Sequence, residues 1–356
     1  MVTQNKTILV ATGCRSEWGV LDPLVAALSE RFPTSVLAVG SHLSHEFGHT
    51  VDQILYPVHK VHTMLSADSP AGVCKSQGVG LISLPETLTT LRPALVVVEG
   101  DRSEMLPVAL TAYNLGIPVA HISGGDVTKG SKDDGYRDCI TRLSTLHFTD
   151  TMEAAIRVTY ILGLSMSEGR VFNVGSLSAH GLAPSTARRE GVLVSLHPCA
   201  DLPLGIVTST LDAIRVVTAE GPCYITAPAP DANGAALRDR LCTYSQEHMR
   251  TTFVGTNTTR LGFLTLLGKV KIAIGNSSAL VVEAPLLHTP SVLLGDRQKG
   301  RPLAKSVVPC PAPVTVDHLK TAIAKATTNV GVGPFPYSDE GTIPRIAAII
   351  KGFLSC

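Results

Sequence analysis

The chain contains 356 residues, which predicts two domains of ordinary size at about 150 residues per domain. Its 30 Lys and Arg residues against 29 Asp and Glu residues give a net charge of +1, and no block of like charges stands out, so neither nucleic-acid binding nor attachment to an anionic membrane surface is expected. Hydrophobic residues make up 44% of the chain and charged residues 17%, a composition that excludes a disordered or fibrous protein and suits large buried cores.

The apolar runs of the chain are short. Even the longer ones, such as Ala94 to Val98, fall well below the ~20 residues that a membrane-spanning helix needs. The first residues, Met1 to Thr12, lack the charged and then apolar layout of a signal peptide. The sequence therefore predicts a cytoplasmic protein with no membrane segment.

Short runs rich in Val, Ile and Leu alternate with longer amphipathic stretches, a pattern typical of parallel strands joined by crossover helices. In the first half the predicted strands are Thr7 to Ala11, Ser35 to Val39, Ala94 to Val98, Ile117 to His121 and Thr145 to Phe148. The helices predicted between them are Trp18 to Arg31, Pro85 to Leu91, Glu104 to Leu115 and Gly135 to Leu143. Strands predicted in the second half are Gly191 to Leu196, Cys223 to Thr226, Thr251 to Val254, Val270 to Ile274 and Ser291 to Leu294. The predicted fold class is α/β, with two Rossmann-like, doubly wound domains.

A change in composition suggests where the two halves divide. The stretch Gly175 to Arg189 is small and polar, as linkers are. We therefore predict an N-terminal domain over residues 1–175 and a C-terminal domain over residues 176–342. The remaining residues, 343–356, form an amphipathic helix that could pack on either half, and the sequence does not choose between them.

Polar residues follow several predicted strands, at the edge where ligands bind in open parallel sheets. Among them, Gly275 to Ser278 leads into a predicted apolar helix over Ala279 to Leu287. Free backbone N–H groups and hydroxyls at such a helix start favour a phosphate group, while the alternative is that Ser277 or Ser278 only caps the helix. The chain has neither a Walker sequence nor a GxGxxG fingerprint, so ATP hydrolysis and NAD chemistry lose their usual support.

A set of motifs in order along the chain carries a family resemblance. The segments are Thr12 to Leu21 (TGCRSEWGVL), Gly40 to Gly48 (GSHLSHEFG), Gly100 to Glu104 (GDRSE), Ile117 to Asp126 (IPVAHISGGD), Asp133 to Arg137 (DDGYR), Val174 to Ser176, His197-Pro198, Asn276 to Pro285 and Gly295 to Arg301. Together they resemble the hydrolysing UDP-N-acetylglucosamine 2-epimerases of sialic- and legionaminic-acid pathways. The resemblance implies a glycosyltransferase-B-like fold with a UDP-sugar in the cleft between the domains, no cofactor, and a homodimer or homotetramer.

The reaction that this resemblance implies eliminates UDP together with the C2 proton, then adds water to the resulting glycal with inversion at C2. Such chemistry needs carboxylates that reach both faces of C2. The resemblance and the placement after strands assign Asp101, Asp126 and Asp133 as catalytic residues. A helix cap is the alternative for Asp101, and the neighbouring Asp134 either favours the start of its helix or takes part in catalysis.

The resemblance also assigns the residues that bind the substrate. Guanidinium groups fit phosphate oxygens, so Arg15 and Arg137 are expected to hold the diphosphate, with ordinary surface arginines as the alternative. His197 is expected to donate to a phosphate or the nucleotide, although a structural histidine fits equally well. The remaining substrate-binding residues are His42 near the sugar, Asn276, Ser277 and Ser278 at the phosphate, and Glu283 at the ribose hydroxyls. The basic loop Arg297 to Arg301 is either a solvated turn or a cover over the substrate.

No metal is expected. The spacing of His42, His45 and His49 could place three imidazoles along one helical face, but the family pattern accounts for this stretch without metal. The chain departs from the family at Ser123 and Asp126, where Glu is usual, and at Asp138 and Thr145, which replace histidines. These departures leave open two alternatives: a substrate with a 2,4-diacetamido-trideoxy sugar, and a protein that binds nucleotide sugars without turnover. A glycosyltransferase of the same architecture is disfavoured by the Gly124 to Arg137 region.

Overall fold

The computed structural model describes residues 6–65, 69–218, 221–229, 231–255, 258–339 and 341–355. It divides the chain into two units. The first contains residues up to Asp126, residues Asp133–His180 and those from Asp339 onward. The second contains Val127–Lys132 and Gly181–Ser338. The domain limits at 175/176 and 342/343 stay a prediction.

The first unit is built on a seven-stranded, all-parallel sheet. Its strands are β1 (Ile8–Thr12), β2 (Thr34–Ala38), β3 (Val58–Lys60), β4 (Leu95–Glu99), β5 (Val119–Ile122), β6 (Leu146–Thr149) and β7 (Val171–Asn173). Its helices up to this point are α1 (Arg15–Ser29), α2 (Pro70–Leu91), α3 (Met105–Asn114), α4 (Asp133–Leu143) and α5 (Met152–Leu162). The strand order is β3-β2-β1-β4-β5-β6-β7, so the winding direction reverses between β1 and β4. Ligands bind at such a reversal in doubly wound folds.

The second unit repeats this plan with six parallel strands. They are β8 (Val192–Ser195), β9 (Cys223–Thr226), β10 (Thr251–Val254), β11 (Ile272–Gly275), β12 (Ser291–Leu294) and β13 (Val307–Cys310). The helices are α6 (Leu204–Val217), α7 (Gly234–Glu247), α8 (Arg260–Lys269), α9 (Glu283–Leu286) and α10 (Val316–Thr328). The order β10-β9-β8-β11-β12-β13 reverses between β8 and β11. The predicted pair of doubly wound sheets is confirmed.

Both sheets are apolar on both faces, which parallel strands covered by helices require. In the first unit, Ile8 and Val10 of β1 pack with α1 on one face, whereas Leu9 and Ala11 pack with α2 and α3 on the other. The last helix, α11 (Thr342–Ser355), joins the first of these two cores through Ile343, Ile346 and Ile350.

Two predicted helices differ from the structure. The helix predicted to begin at Pro85 begins instead at Pro70, where the Ser69 hydroxyl caps it by accepting the Gly72 N–H at 3.1 Å. The single helix predicted over Ala279 to Leu287 is wrong, because the structure has a 3₁₀ turn over Ser278–Leu280 and then the short α9. Pro285 has no N–H to donate to the Val281 carbonyl, so a continuous helix is disfavoured there.

None of the helices in the described part of the chain is both long and apolar enough to cross a lipid bilayer.

Candidate active site

Arg137 on α4 is a buried side chain at the centre of a partly buried acidic cluster in the first unit. Its side chain is only 1% exposed. Nη2 donates to Oδ2 of Asp101, and Nη1 donates to Oδ1 of Asp134 and, over 2.6 Å, to the main-chain carbonyl of Asp126. Charge-assisted hydrogen bonds of this kind offset the cost of burying a guanidinium group. The structure therefore brings three predicted site residues together, namely Asp101, Asp126 and Arg137.

The topology explains why these residues meet. Asp101 follows β4, Asp126 follows the neighbouring strand β5, and α4 is the next element of the chain. Parallel strands end at the same edge of a sheet, so the loops after β4 and β5 lie side by side. Asp133 is the first residue of α4, where a carboxylate also favours the positive end of the helix dipole.

Asp138, which replaces a histidine of the family pattern, is paired with a different arginine. Its Oδ2 accepts from Nη2 of Arg157 at 2.7 Å. Burial raises the pKa of Asp138, and the charge of Arg157 opposes that rise. Arg157 also donates to the Asp126 carbonyl at 3.1 Å. The negative charge at position 138 is thus balanced by Arg157, which reduces its effect on Arg137.

A buried histidine that was given no role from the sequence, His121, binds the backbone next to Asp101. His121 on β5 places Nε2 2.8 Å from the carbonyl of Gly100 and Nδ1 3.1 Å from the hydroxyl of Thr141. Burial lowers the pKa of His121 to about 4, so the ring is neutral at pH 7. Because the Gly100 carbonyl can only accept, Nε2 carries the proton and Nδ1 accepts from Thr141. His121 thereby fixes the backbone just before Asp101.

Arg15 begins α1 directly after a turn that is clamped by a buried carboxylate. One oxygen of Glu17, Oε2, accepts from the N–H of Gly13 and from the hydroxyl of Thr12, the latter at 3.1 Å. Its other oxygen, Oε1, is buried with no hydrogen-bond partner among the described residues. Burial, reinforced by the negative charge of Glu104, raises the pKa of Glu17. Glu17 is therefore a structural support for the turn that presents Arg15.

His42 belongs to the same cluster and is completely buried. Its Nε2 lies 3.1 Å from the Thr12 hydroxyl and its Nδ1 lies 2.9 Å from the Thr50 hydroxyl. Burial lowers the pKa of His42 to about 4. The ring is thus neutral at pH 7 with a threonine hydroxyl at each nitrogen. Contact between His42 and a sugar stays a prediction.

Two further acidic residues near this edge were not predicted from the sequence. Glu104 accepts from Nε of Arg102 at 2.7 Å, and Asp150 accepts from the hydroxyls of Ser123 at 2.9 Å and Ser176 at 3.0 Å. Each follows a strand of the first sheet, β4 or β6, so the rule that selected Asp101 could have found both. Ser123, which stands where Glu is usual in the family, is thus held by Asp150.

In the second unit, the turn after β11 is locked to the end of β8. The Asn276 side chain accepts from the N–H of His197 at 2.7 Å and donates to its carbonyl at 2.9 Å. Nδ1 of His197 accepts from the N–H of Ala229 at 3.0 Å. In the neutral ring the proton must then reside on Nε2. The two predicted residues His197 and Asn276 therefore lie together.

The remaining predicted residues of the second unit flank this turn. Ser277 is 8% exposed and its Oγ accepts from the N–H of Ala279 at 3.4 Å, as a cap does, whereas Ser278 is exposed. Glu283, at the start of α9, is 6% exposed and pairs with Nη1 of Arg260 at 3.1 Å. Arg260 is a neighbour that the sequence analysis did not identify, because it lies on α8 and only the fold brings it to Glu283.

No group of three or more His, Cys, Asp or Glu side chains suited to a metal ion occurs within the described ranges. The rings of His45 and His49 stack at 4.7 Å between centroids, and Nδ1 of His49 binds Asp52 at 2.8 Å. Both nitrogens of His42 face threonine hydroxyls instead. The three histidines weighed as metal ligands therefore have other contacts.

The sequence is similar to one protein family and to several curated proteins. The profile described as UDP-N-acetylglucosamine 2-epimerase matches residues 26–351. A curated relative, GDP/UDP-N,N'-diacetylbacillosamine 2-epimerase (hydrolyzing) of Campylobacter jejuni, is 29% identical over 329 residues and covers 85% of this chain and 84% of its own. Another, polysialic acid biosynthesis protein P7 of Escherichia coli, is 26% identical with 98% and 94% covered.

Solved structures show the same fold. The UDP-GlcNAc 2-epimerase of Methanocaldococcus jannaschii, in complex with UDP-GlcNAc and UDP, superposes with a TM-score of 0.76 at 18% identity and covers 97% of this chain and 99% of that chain. This confirms the predicted glycosyltransferase-B-like class of two Rossmann-like domains. The profile match spans most of the sequence and agrees with the motifs that carry the resemblance. The chain therefore belongs to the UDP-N-acetylglucosamine 2-epimerase family.

Proposed function

We propose that the chain is a hydrolysing UDP-sugar 2-epimerase that converts UDP-N-acetylglucosamine, or a related UDP-2-acetamido sugar, to UDP and the free 2-epimer. For UDP-N-acetylglucosamine that product is N-acetylmannosamine. The observation that carries this proposal is the cluster in which the buried Arg137 holds the partly exposed Asp101 and the Asp126 backbone, at the ligand-binding edge of a sheet in a member of this family.

The reaction proceeds in two halves. A carboxylate removes the C2 proton, the C–H electron pair forms the C1–C2 double bond, and the bond from C1 to the diphosphate oxygen breaks to release UDP. Water then adds its oxygen to C1 of the glycal, and a proton is delivered to C2 on the opposite face. General acid–base catalysis by positioned carboxylates contributes typically 10²–10⁴-fold to such steps.

Within this scheme Asp101 is the first acid/base residue, and Asp126 and Asp133 are the further carboxylates. The contacts of Arg137 with Asp101 and with the Asp126 backbone support a positioning role, because they fix where these carboxylates stand. Arg15 binds diphosphate oxygens and His42 lies near the sugar. Direct contact of Arg137 with the diphosphate stays a prediction, because its guanidinium group is 1% exposed and holds Asp101, Asp134 and the Asp126 carbonyl.

The UDP moiety is assigned to the second unit. His197 is held at the end of β8 by the Asn276 side chain and by the N–H of Ala229, beside the turn after β11, which supports its placement near a phosphate oxygen. Asn276, Ser277 and Ser278 form the turn after β11, which we call the phosphate turn because it is proposed to bind phosphate oxygens. Glu283 accepts from the ribose hydroxyls.

A second substrate is favoured by the relatives. Proteins from Campylobacter jejuni and Legionella pneumophila carry names of diacetylbacillosamine 2-epimerases (hydrolyzing), at 29% and 25% identity. The short Ser123, bound to Asp150 where Glu is usual, also leaves the substrate open. We therefore keep a UDP-2,4-diacetamido-trideoxy sugar as the alternative substrate. A cytoplasmic location, predicted from the sequence, and a homodimer or homotetramer, implied by the resemblance, stay predictions.

The first test compares both UDP-sugars in deuterated water. The proposal expects release of UDP and a free 2-epimer carrying deuterium at C2 from at least one of them. Product without deuterium at C2 would contradict elimination. Binding of UDP without turnover of either sugar would instead identify a protein that only binds nucleotide sugars.

The second test is Asp101→Asn, which keeps the size of the side chain but removes its base. Turnover should fall by at least ~100-fold, with UDP affinity by calorimetry largely preserved. Asp239→Asn, at a side chain that is 72% exposed, is the matched control and should leave turnover unchanged. An Asp101→Asn variant with full turnover would remove Asp101 from the mechanism.

A further inference from the structure

The six residues Val127–Lys132 group with the second unit, although their chain neighbours on both sides belong to the first. The residue before this segment is Asp126 and the residue after it is Asp133. These are two of the three carboxylates proposed for catalysis. The backbone therefore runs from one proposed catalytic residue to the next through a segment that packs with the second unit.

The segment packs tightly against residues 296–300, which we call the brace loop. The N–H of Lys129 donates to the carbonyl of Lys299 at 2.9 Å. A Cβ added to Gly130 would lie 2.6 Å from the backbone nitrogen of Arg297 and would overlap the carbonyl group of Asp296. Real Cβ atoms do not approach backbone this closely, so only glycine fits at position 130 without movement.

A second glycine makes the contact close from the other side. Gly300 has a φ of +107°, and a Cβ there would lie 2.6 Å from Cγ1 of Val127. Thr128 is 4% exposed, so the segment is partly buried despite its polar sequence. Closely packed groups have little room to shift independently. The position of residues 127–132 is therefore set by the brace loop.

The brace loop also supports the turn proposed to hold phosphate. Nη1 of Arg297 and Nε2 of Gln298 both donate to the carbonyl of Asn276, at 3.2 and 3.1 Å. Gln298 is 5% exposed. The N–H of Asp296 donates to Oδ2 of Asp201 at 2.7 Å, which holds the loop at its start. One loop thus contacts both the phosphate turn and the segment between two carboxylates.

We propose that residues 127–132 are a positioning segment, with Gly130 as its positioning residue, through which occupation of the phosphate turn by UDP sets the placement of Asp126 and Asp133. This inference rests on the proposed function. UDP bound to the turn restricts the motion of Asn276 and of the brace loop, which is hydrogen-bonded to the Asn276 carbonyl. The brace loop in turn restricts residues 127–132, and these residues fix the backbone at both carboxylates. A misplacement of about 1 Å in an active site can cost on the order of 100-fold in rate, so a short, tightly packed segment is sufficient for the effect.

Hydrogen exchange of the unmodified protein tests the connection directly. With UDP bound, the amide of Lys129 should exchange at least ~3-fold more slowly, because its acceptor lies on the brace loop and opening of that loop becomes rarer. Uridine, which lacks the diphosphate, is the control ligand and should leave Lys129 unchanged. UDP binding that leaves exchange across residues 127–132 unchanged would overturn the proposal. This measurement needs no variant.

Gly130→Ala tests the consequence for turnover. We expect kcat to fall by about 10- to 100-fold, while the Kd for UDP changes by less than about 3-fold. Gly205→Ala is the matched control, because nothing lies within 4 Å of a Cβ at this exposed position of α6. Gly205→Ala should leave both quantities unchanged. A Gly130→Ala variant that loses UDP affinity with an unchanged kcat, or that keeps both, would contradict the positioning role.

The two proposals fail differently. If the unmodified protein neither binds UDP nor turns over a UDP-sugar, the proposed function is wrong and this inference falls with it. If the unmodified protein is active but Lys129 does not respond to UDP and Gly130→Ala keeps its kcat, only the positioning segment is wrong.

Discussion

Arg137 is a buried charge whose ion pairs contribute to the stability of the first unit. It is 1% exposed, and both carboxylates paired with it, those of Asp101 and Asp134, are 23% exposed. Removing one member of a buried ion pair leaves the other charge without compensation, which typically costs 3–5 kcal/mol. Because both carboxylates keep some contact with water, we expect Arg137→Ala to lower the free energy of unfolding by about 3 kcal/mol, at the lower end of that range. Urea denaturation measures the loss.

Arg157→Ala is the comparison for this prediction. Arg157 also donates to the Asp126 carbonyl and pairs with a carboxylate, but it is 28% exposed and its partner Asp138 is 35% exposed. Pairs with this much solvent contact contribute about 0–1 kcal/mol. Equal losses for the two arginines would show that burial of Arg137 does not govern its contribution.

At the scale of elements, short continuous apolar runs predicted most strands, because a parallel strand that is covered by helices is buried on both faces. The edge strands β3, β7 and β13 were missed. Val58–Lys60 and Val171–Asn173 offer three partly polar residues each, and Val307–Cys310 contains a proline. Asp101 was predictable because it directly follows a buried strand. Its partnership with Arg137 was not, because that contact depends on how α4 packs against α3 and β5. Glu17 is the third residue of α1, a position from which a carboxylate can reach back to backbone N–H groups at the helix start, so its bond to Gly13 had a local signal that was not used.

The terminal helix α11 was the element whose place the sequence left open. In the structure Ile346 is completely buried in the core that also contains Leu21 and Leu24 of α1. The Thr342 hydroxyl donates to the Val174 carbonyl at 2.9 Å, and Nη2 of Arg345 donates to the Asn173 carbonyl at 2.6 Å. These contacts attach the end of the chain to the first unit.

Ile346→Ala should therefore destabilise the first unit. Cutting a fully buried Ile back to Ala typically costs 2–5 kcal/mol, from lost burial and the cavity left behind. Ile82→Ala on α2, where the side chain is 80% exposed, is the control and should change the free energy of unfolding by less than about 0.5 kcal/mol. Urea denaturation followed by fluorescence is a suitable assay, because the single tryptophan, Trp18, lies in the same core as Ile346. A loss at Ile346 no greater than that at Ile82 would contradict the packing of α11.

For the whole molecule, pH acts mainly through buried groups of the first unit. Burial lowers the pKa of His42 and His121 to about 4 and that of His147 to about 3. The unfolded chain binds these protons near the ordinary value of 6.5. Stability from the neutral rings is thus present above pH 6.5 and is lost as pH falls toward 4. The raised pKa of Glu17 acts in the opposite direction, because its contribution is lost as pH rises. The Glu17 contribution is present below its unfolded pKa of 4.5 and is lost as pH rises toward 8. Three rings outweigh one carboxylate below pH 6.5, so the first unit should be most stable near pH 6.5.

We therefore expect acid to unfold the first unit between about pH 6 and pH 4, with Trp18 as the reporter because it is 6% exposed in that unit and is the only tryptophan of the chain. His147→Leu removes one of the three buried rings that take up a proton on acid unfolding. It places an apolar side chain at the same position of β6. Its acid midpoint should move to lower pH, since one fewer proton is taken up on unfolding. The exposed His318→Leu is the control and should leave the midpoint in place. A His147→Leu midpoint identical to that of the unmodified protein would mean that acid acts through carboxylates rather than through the buried rings.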